Sequence, residues 1–134
     1  MLTYVGKGYT PAFVQQFDAV IAAINHGGIV EIVAGPDVIC TALENEEICA
    51  YDHPAYCHAE HAMMRDEHAL REVSGVLGPS SVMVGSQLQL TSEIIQKLRQ
   101  QFTSGTVRTA CKDCDWHSLC TEVAAAGYAE AKLI

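Results

Sequence analysis

Three cysteines fall within ten consecutive positions near the C-terminal end of the chain, in the stretch ACKDCDWHSLC. Cys111 and Cys114 are separated by two residues, so both sulfurs can reach one metal from a tight turn. Cys120 adds a third thiol in the first turn of a following helix. Soft thiolates of this kind select zinc, copper(I) or iron–sulfur clusters. The spacing therefore predicts a metal corner, and the rest of the fold has to supply its remaining ligands.

The other three thiols, Cys40, Cys49 and Cys57, are spread over loops. A zinc site is expected to have four ligands, often as two paired knuckles, and the second pair is missing here. Widely spaced cysteines that join a compact trio fit an iron–sulfur cluster at least as well. A dithiol redox pair at Cys111 and Cys114 is the third interpretation, although such pairs usually begin a helix in a βαβ unit. The spacing leaves all three open.

Charge and composition exclude several classes of partner. The formal net charge is −8, and only 8 of the 134 residues are Lys or Arg, which argues against binding to nucleic acid or to an anionic membrane. The start of the chain lacks the pattern of a secretory signal, and no apolar run is long enough for a membrane span. We therefore expect a cytoplasmic protein whose cysteines are thiolates rather than disulfides.

The periodicity of apolar residues predicts an α+β fold in one domain, residues 1–134. It comprises about four helices, a small two- or three-stranded sheet and the cysteine-rich metal corner. Thr10 and Pro11 are suited to start the first helix as cap and first residue. The other helices are predicted over 59–77, 92–102 and 116–126, and strands over 29–33 and 87–91. The polar side of the second helix carries Glu60, Arg65, Asp66, Glu67 and Arg71.

Several residues near the cysteines have roles that the sequence leaves open. A zinc site made from Cys57 and His61 is an alternative, but surface histidines on an acidic helix are the simpler interpretation. Arg108 and Lys112 are placed to offset thiolate charge, whereas Asp113 and Asp115 add negative charge. The chain contains no Ser-His-Asp pattern, phosphate-binding glycine loop or HExxH helix. No catalytic constellation is therefore recognised apart from the cysteine cluster.

Four segments together resemble the DUF1284 family of small bacterial and archaeal proteins. They are YVGKGYTPAFV near the start, GPDVIC around Cys40, Cys57 followed by the pair Arg65-Asp66, and VRTACKDCDWHSLC. The resemblance spans nearly the whole chain and implies a protein of unknown function that binds an iron–sulfur cluster. Carried over position by position, the resemblance implies five thiols that fit the family pattern: Cys40, Cys57, Cys111, Cys114 and Cys120. Cys49 is less constrained by that pattern.

One departure from the family concerns the start of the chain. Members typically carry a segment resembling RPHHLLC immediately before the part that matches Leu2 to Tyr4, and this chain starts at Met1 without it. We expect either that the true start lies upstream or that two histidines and a cysteine are lost here. In the second case the ligand set is incomplete, or Cys49 substitutes for the missing thiol.

The sequence thus leads to one hypothesis and two alternatives. The hypothesis is an iron–sulfur protein in which Cys111, Cys114 and Cys120 bind the cluster with one of Cys40 or Cys57. It would transfer electrons, or carry the cluster, to a redox or cluster-accepting protein. The first alternative is a structural zinc module for protein interaction, and the second is a dithiol redox protein.

Overall fold

The structure is a computed structural model that describes residues 1–44, 59–78 and 82–134. Five α-helices lie in these ranges: α1 is Pro11–Asn25, α2 is Thr41–Glu44, α3 is Ala59–Leu77, α4 is Ser92–Thr103 and α5 is His117–Ala125. Two strands, β1 (Ile29–Glu31) and β2 (Gln87–Gln89), form the sheet, and a 3₁₀ turn covers Thr109–Cys111. Four of the helices are substantial, so the predicted α+β class is confirmed.

Local capping chemistry explains where two of the predicted helices begin. The hydroxyl of Thr10 accepts a hydrogen bond from the backbone N–H of Phe13 over 3.1 Å at the start of α1. The hydroxyl of Thr91 does the same for the N–H of Ile94 over 3.4 Å at the start of α4. Each hydroxyl satisfies a backbone donor that has no partner inside its helix.

Among the described helices, none combines the length and the apolar character needed to cross a membrane.

In the described residues the sheet is one antiparallel pair, formed by the two segments that were predicted to be strands. Val30 of β1 lies opposite Leu88 of β2, and both side chains are half-buried while their neighbours in the strands are exposed. The regular strands are three residues long. Two more backbone hydrogen bonds join Ile32 to Ser86 and Gly85, and Gly85 has a φ of +86° that a turn requires there.

The core joins the two ends of the chain. Leu133 has no exposed surface and packs with Tyr4, Ile21, Ile24 and Ile95. The backbone N–H of the residue before Leu133 donates to the carbonyl of Tyr4 over 2.8 Å, which holds the C-terminal tail beside the first residues. The C-terminal tail is thereby part of the core.

The short helix α2 is absent from the sequence-based prediction. The side chain of Asp37 accepts hydrogen bonds from the backbone N–H groups of Ile39 and Cys40 over 2.9 and 3.2 Å. This carboxylate turns the chain into α2, which is too short for an apolar period to reveal. The sequence placed Cys40 on an open loop, but it lies half-buried in the turn that leads into the helix.

Candidate metal centre

A tight turn brings Cys111 and Cys114 to one corner of the fold. Cys111 ends the 3₁₀ turn, and the N–H of Cys114 donates to its carbonyl oxygen over 3.2 Å. Asp113, between them, has a φ of +56°, a left-handed conformation that Asp tolerates better than most residues with a side chain. Cys120 lies in α5, and all three thiols are half-buried. We call Cys111, Cys114 and Cys120 the cysteine corner.

The electrostatics of Cys111 depend on its neighbours in this corner. Burial raises the pKa of the Cys111 thiol, and the Arg108 guanidinium beside it opposes that rise. Cys114 and Cys120 each act on the same thiol in the direction of a higher pKa, because a second negative charge nearby is unfavourable. Arg108 and the other two thiols thus act on the pKa of Cys111 in opposite directions.

Arg108 is fixed in place from two sides. Its guanidinium lies over the ring of Phe102, 4.6 Å from the ring centroid, and it donates a hydrogen bond to the hydroxyl of Thr121 over 2.8 Å. Its Nε–H is buried and has no acceptor among the described residues. A buried donor of this kind is costly unless it finds an acceptor, and a hydrogen bond from Arg108 is one of the causes that lower the pKa of Cys111.

The first residues of the chain lie against the cysteine corner. The α-amino group of Met1 is close enough to all three thiols for them to raise its pKa, although burial has the larger effect and lowers it. The hydroxyl of Thr3 donates to the sulfur of Cys120 over 3.1 Å.

Helix α3 supports the corner from the other side. The carboxylate of Glu72 accepts hydrogen bonds from the hydroxyl of Thr109 and from its backbone N–H, the latter over 3.2 Å. Closer to the start of the helix, Arg65 donates to the carbonyl of Asp113 over 3.4 Å. These contacts connect α3 to the turn that contains Cys111 and to the residue that precedes Cys114.

Cys40 occupies a different environment. Burial raises the pKa of its thiol, and the carboxylates that act on it are those of Asp37 and Asp66. The groups that act on Cys111 are Arg108 and the other two thiols of the cysteine corner. The side chains that act on the pKa of Cys40 therefore differ from those that act on the pKa of Cys111. Cys49 and Cys57 lie outside the described residues.

No metal geometry is formed in the described ranges. Within residues 1–44, 59–78 and 82–134, no group of three or more His, Cys, Asp or Glu side chains is arranged to hold a metal ion. Trp116 is half-buried and packs edge-on against Tyr9, with 5.4 Å between the ring centroids, and the side chain of His117 is exposed. The metal corner itself stays a prediction.

Sequence reasoning missed two residues of this site. Thr3 is 117 positions from Cys120, and nothing in its own neighbourhood signals a sulfur contact. Glu72 is one acidic residue among several on a polar helix, and only its tertiary partner distinguishes it. Arg108 was recognised in advance, because a cation three residues before a cysteine is placed to offset thiolate charge.

Comparison with known proteins gives one match. The model of the family DUF1284, described as a protein of unknown function, matches residues 8–120, which include the cysteine corner. No curated protein matches the chain. No solved structure matches it either.

Proposed function

The chain belongs to the DUF1284 family of proteins of unknown function, and we propose that its cysteine corner binds an iron–sulfur cluster. Cys111, Cys114 and Cys120 supply three thiolates. The observation that carries the proposal is the turn that joins Cys111 to Cys114, in which the N–H of Cys114 donates to the carbonyl of Cys111 over 3.2 Å, with Cys120 in the helix that follows. Thiolates are the ligands through which proteins hold such clusters.

Groups around the three thiols can donate hydrogen bonds to the sulfur atoms of a cluster. The Arg108 guanidinium acts on the pKa of Cys111 through its charge and through a hydrogen bond. Hydrogen bonds to cluster and ligand sulfurs are a general means by which proteins set the reduction potential of a cluster. Loading requires the three thiol side chains to turn toward one point, and changes of side-chain rotamer leave the backbone turn in place.

The fourth ligand in this proposal is Cys40 or Cys57. Cys57 precedes the start of α3 by two residues, and Arg65 of the same helix contacts Asp113 in the cysteine corner. Cys40 is half-buried beside Asp66, the residue that follows Arg65. Cys40 therefore lies near the first half of α3, whereas Cys57 is outside the described residues.

An iron–sulfur cluster supplies one-electron redox chemistry, so the protein would act in electron transfer or in carriage of a cluster to a partner. This chain's own residues would hold the cluster, half-bury it and balance its charge. Arg108 offers positive charge and a hydrogen-bond donor, and the Thr3 hydroxyl offers a second donor to a sulfur. We propose a cytoplasmic protein partner that accepts electrons or the cluster.

The test is anaerobic purification followed by iron, zinc and acid-labile sulfide analysis with a visible spectrum. We expect iron with sulfide and a visible absorption that reductant bleaches. Cys114→Ser should sharply lower the iron content, whereas Ser118→Ala, an exposed change in the same stretch, should leave it unaltered. Iron content unchanged by Cys114→Ser would remove the cysteine corner from the site. Zinc without sulfide would establish the structural alternative, and a metal-free protein with a reversible Cys111–Cys114 disulfide would establish the dithiol one.

A second series of variants ranks the remaining thiols. We expect Cys40→Ser to lower iron content more than Cys49→Ser, because the family pattern includes Cys40 and leaves Cys49 less constrained. Of the two variants Cys57→Ser and Cys40→Ser, the one that loses more iron identifies the fourth ligand. The reverse order for Cys40 and Cys49 would show that this ranking of the ligands is wrong.

A further inference from the structure

A cavity of about 710 Å³ opens on the face of α3 that carries Met63, Asp66 and Leu70. Arg65 and Glu72, which contact the cysteine corner, lie on another face of the same helix. The opposite wall of the cavity is the segment that follows β1. The volume lies in the range of roughly 300–1,000 Å³ that small-molecule sites occupy in proteins. Size and position thus indicate a site separate from the cysteines.

The walls of the cavity are apolar and open to solvent. Met63 and Met64 are each 56% exposed, and Val84 on the opposite wall is also 56% exposed. Leu70 and Val73 form the floor. A contiguous patch of exposed apolar side chains often marks a binding site. Methionine side chains are unbranched and polarizable, so such walls adapt to ligands of different shape.

The charged groups of the cavity all have the same sign. Asp66 and Glu67 are the charged side chains among its described lining residues, and both are carboxylates. The backbone N–H of Gly35 donates to Asp66 over 2.7 Å, which fixes that carboxylate at the cavity. Neither carboxylate has a cationic partner in the part of the chain that the structure describes. Burial raises the pKa of Asp66, with a further contribution from the charge of Asp37.

We propose that this cavity binds a small organic cation, an apolar molecule that carries a protonated amine. The apolar body lies against Met63, Met64 and Leu70, and the ammonium group donates hydrogen bonds to Asp66 and Glu67. Pairing with a cation offsets the cost of keeping a half-buried carboxylate that has no cationic partner among the described residues. An apolar anion is repelled by the same two groups. A bare metal ion is disfavoured, since no three donors converge on one in the described ranges.

The test compares three probes with the same apolar body: phenylbutylamine, phenylbutanol and phenylbutanoate. Methyl-labelled methionine gives an NMR signal for each of the four methionines in the full chain. Met63 and Met64 report on the cavity, and Met1 reports on the cysteine corner. We expect the amine to shift the signals of Met63 and Met64 and to bind about tenfold more tightly than the alcohol, a typical gain for a charge-assisted hydrogen bond. The carboxylate should bind most weakly.

Variants connect the preference to the two acidic groups. Asp66→Asn should reduce the affinity for the amine to about that for the alcohol, and Ala34→Trp, which fills the cavity from an exposed lining position, should weaken all three probes. Glu130→Gln removes an exposed carboxylate elsewhere and should change nothing. If Asp66→Asn does not fold, Glu67→Gln tests the charge at an exposed position of the helix.

Three results would overturn the proposal. The first is equal binding of the amine and the carboxylate. The second is a probe that shifts Met1 while Met63 and Met64 stay unchanged. The third is a response of Met63 and Met64 to a basic amphipathic peptide but to none of the amines, which would make the cavity a protein-docking surface. None of these readouts depends on a bound cluster, so the proposed function can fail without affecting them.

Discussion

The hydroxyl of Thr3 donates a hydrogen bond to the sulfur of Cys120 over 3.1 Å, although the two residues are 117 positions apart. Thr3 itself is a buried residue. The pair therefore joins the two ends of the chain, and the hydroxyl supplies the sulfur of Cys120 with a hydrogen-bond donor.

Replacing Thr3 with Val should destabilise the reduced, metal-free protein by about 1 kcal/mol, because the sulfur loses its donor while the volume of the side chain is kept. Thr3→Ser retains the hydroxyl and serves as the control. Urea unfolding under reducing conditions measures both. Equal stability of the Val variant and the wild type would show that the hydrogen bond contributes nothing.

Removing the carboxylate of Glu72 should weaken the support of the cysteine corner. Its hydrogen bonds to Thr109 hold the turn that contains Cys111, so Glu72→Ala should cost about 1 kcal/mol of stability and lower the iron content. Glu67→Ala, on another face of the same helix, is the matched control and should retain its iron. Iron contents that fall equally in both variants would mean that helix stability, and not the contact with Thr109, is responsible.

Arg108 should control the reactivity of Cys111 in the metal-free protein. Its guanidinium lowers the pKa of that thiol against the effect of burial, so Arg108→Gln should slow alkylation of Cys111 at a fixed, mildly alkaline pH. Arg108→Lys keeps the positive charge and should lie between the two. Mass spectrometry of the alkylated peptide follows the rate, and faster alkylation in the Gln variant would contradict the assigned role.

The C-terminal tail offers a neighbouring pair for a test of stability. Leu133 has no exposed surface, whereas Ile134 is 76% exposed. Leu133→Ala should cost about 3 kcal/mol, the usual penalty for a cavity left in a core. Ile134→Ala should change the free energy of unfolding by less than about 0.5 kcal/mol. Similar effects of the two changes would mean that the tail does not belong to the core.

Asp18 should contribute a pH-dependent part of the stability. Hydrogen bonds from Lys132 and Tyr4 hold the pKa of its carboxyl below the ordinary 3.8. A carboxyl whose pKa is depressed in the folded state stabilises the protein above its ordinary pKa, and this contribution is lost as the pH falls through the folded pKa. The difference in urea midpoint between wild type and Asp18→Asn should therefore shrink as the pH drops below 3.8. A difference independent of pH would contradict this assignment.

The parts of the fold that depend on neighbours in sequence were predictable. Thr10 and Pro11 start α1 through contacts within one turn, and the sequence contains both partners of each contact. Both strands were also predictable, one from a β-branched run bounded by glycines and the other from alternation, whereas the antiparallel pairing of Val30 with Leu88 was not predicted.

The parts of the structure that depend on residues distant in sequence were not predictable. Arg65 and Asp66 were both assigned to the polar side of a helix, where the pattern predicts solvent. The structure uses Arg65 against the cysteine corner and Asp66 at the cavity. An amphipathic period separates apolar from polar faces, but it does not reveal whether water or another element covers the polar one.

Leu133 and Tyr4 meet in one core, and this has a consequence for synthesis of the protein. A ribosome adds about 5–20 residues per second, so the first residues wait on the order of 10 s before the residue that completes their packing exists. Helix α1 can form early, yet its buried face stays exposed to water and to other nascent chains during that time. We therefore expect chaperone binding to the nascent chain to concentrate on α1 and to end when Leu133 leaves the exit tunnel.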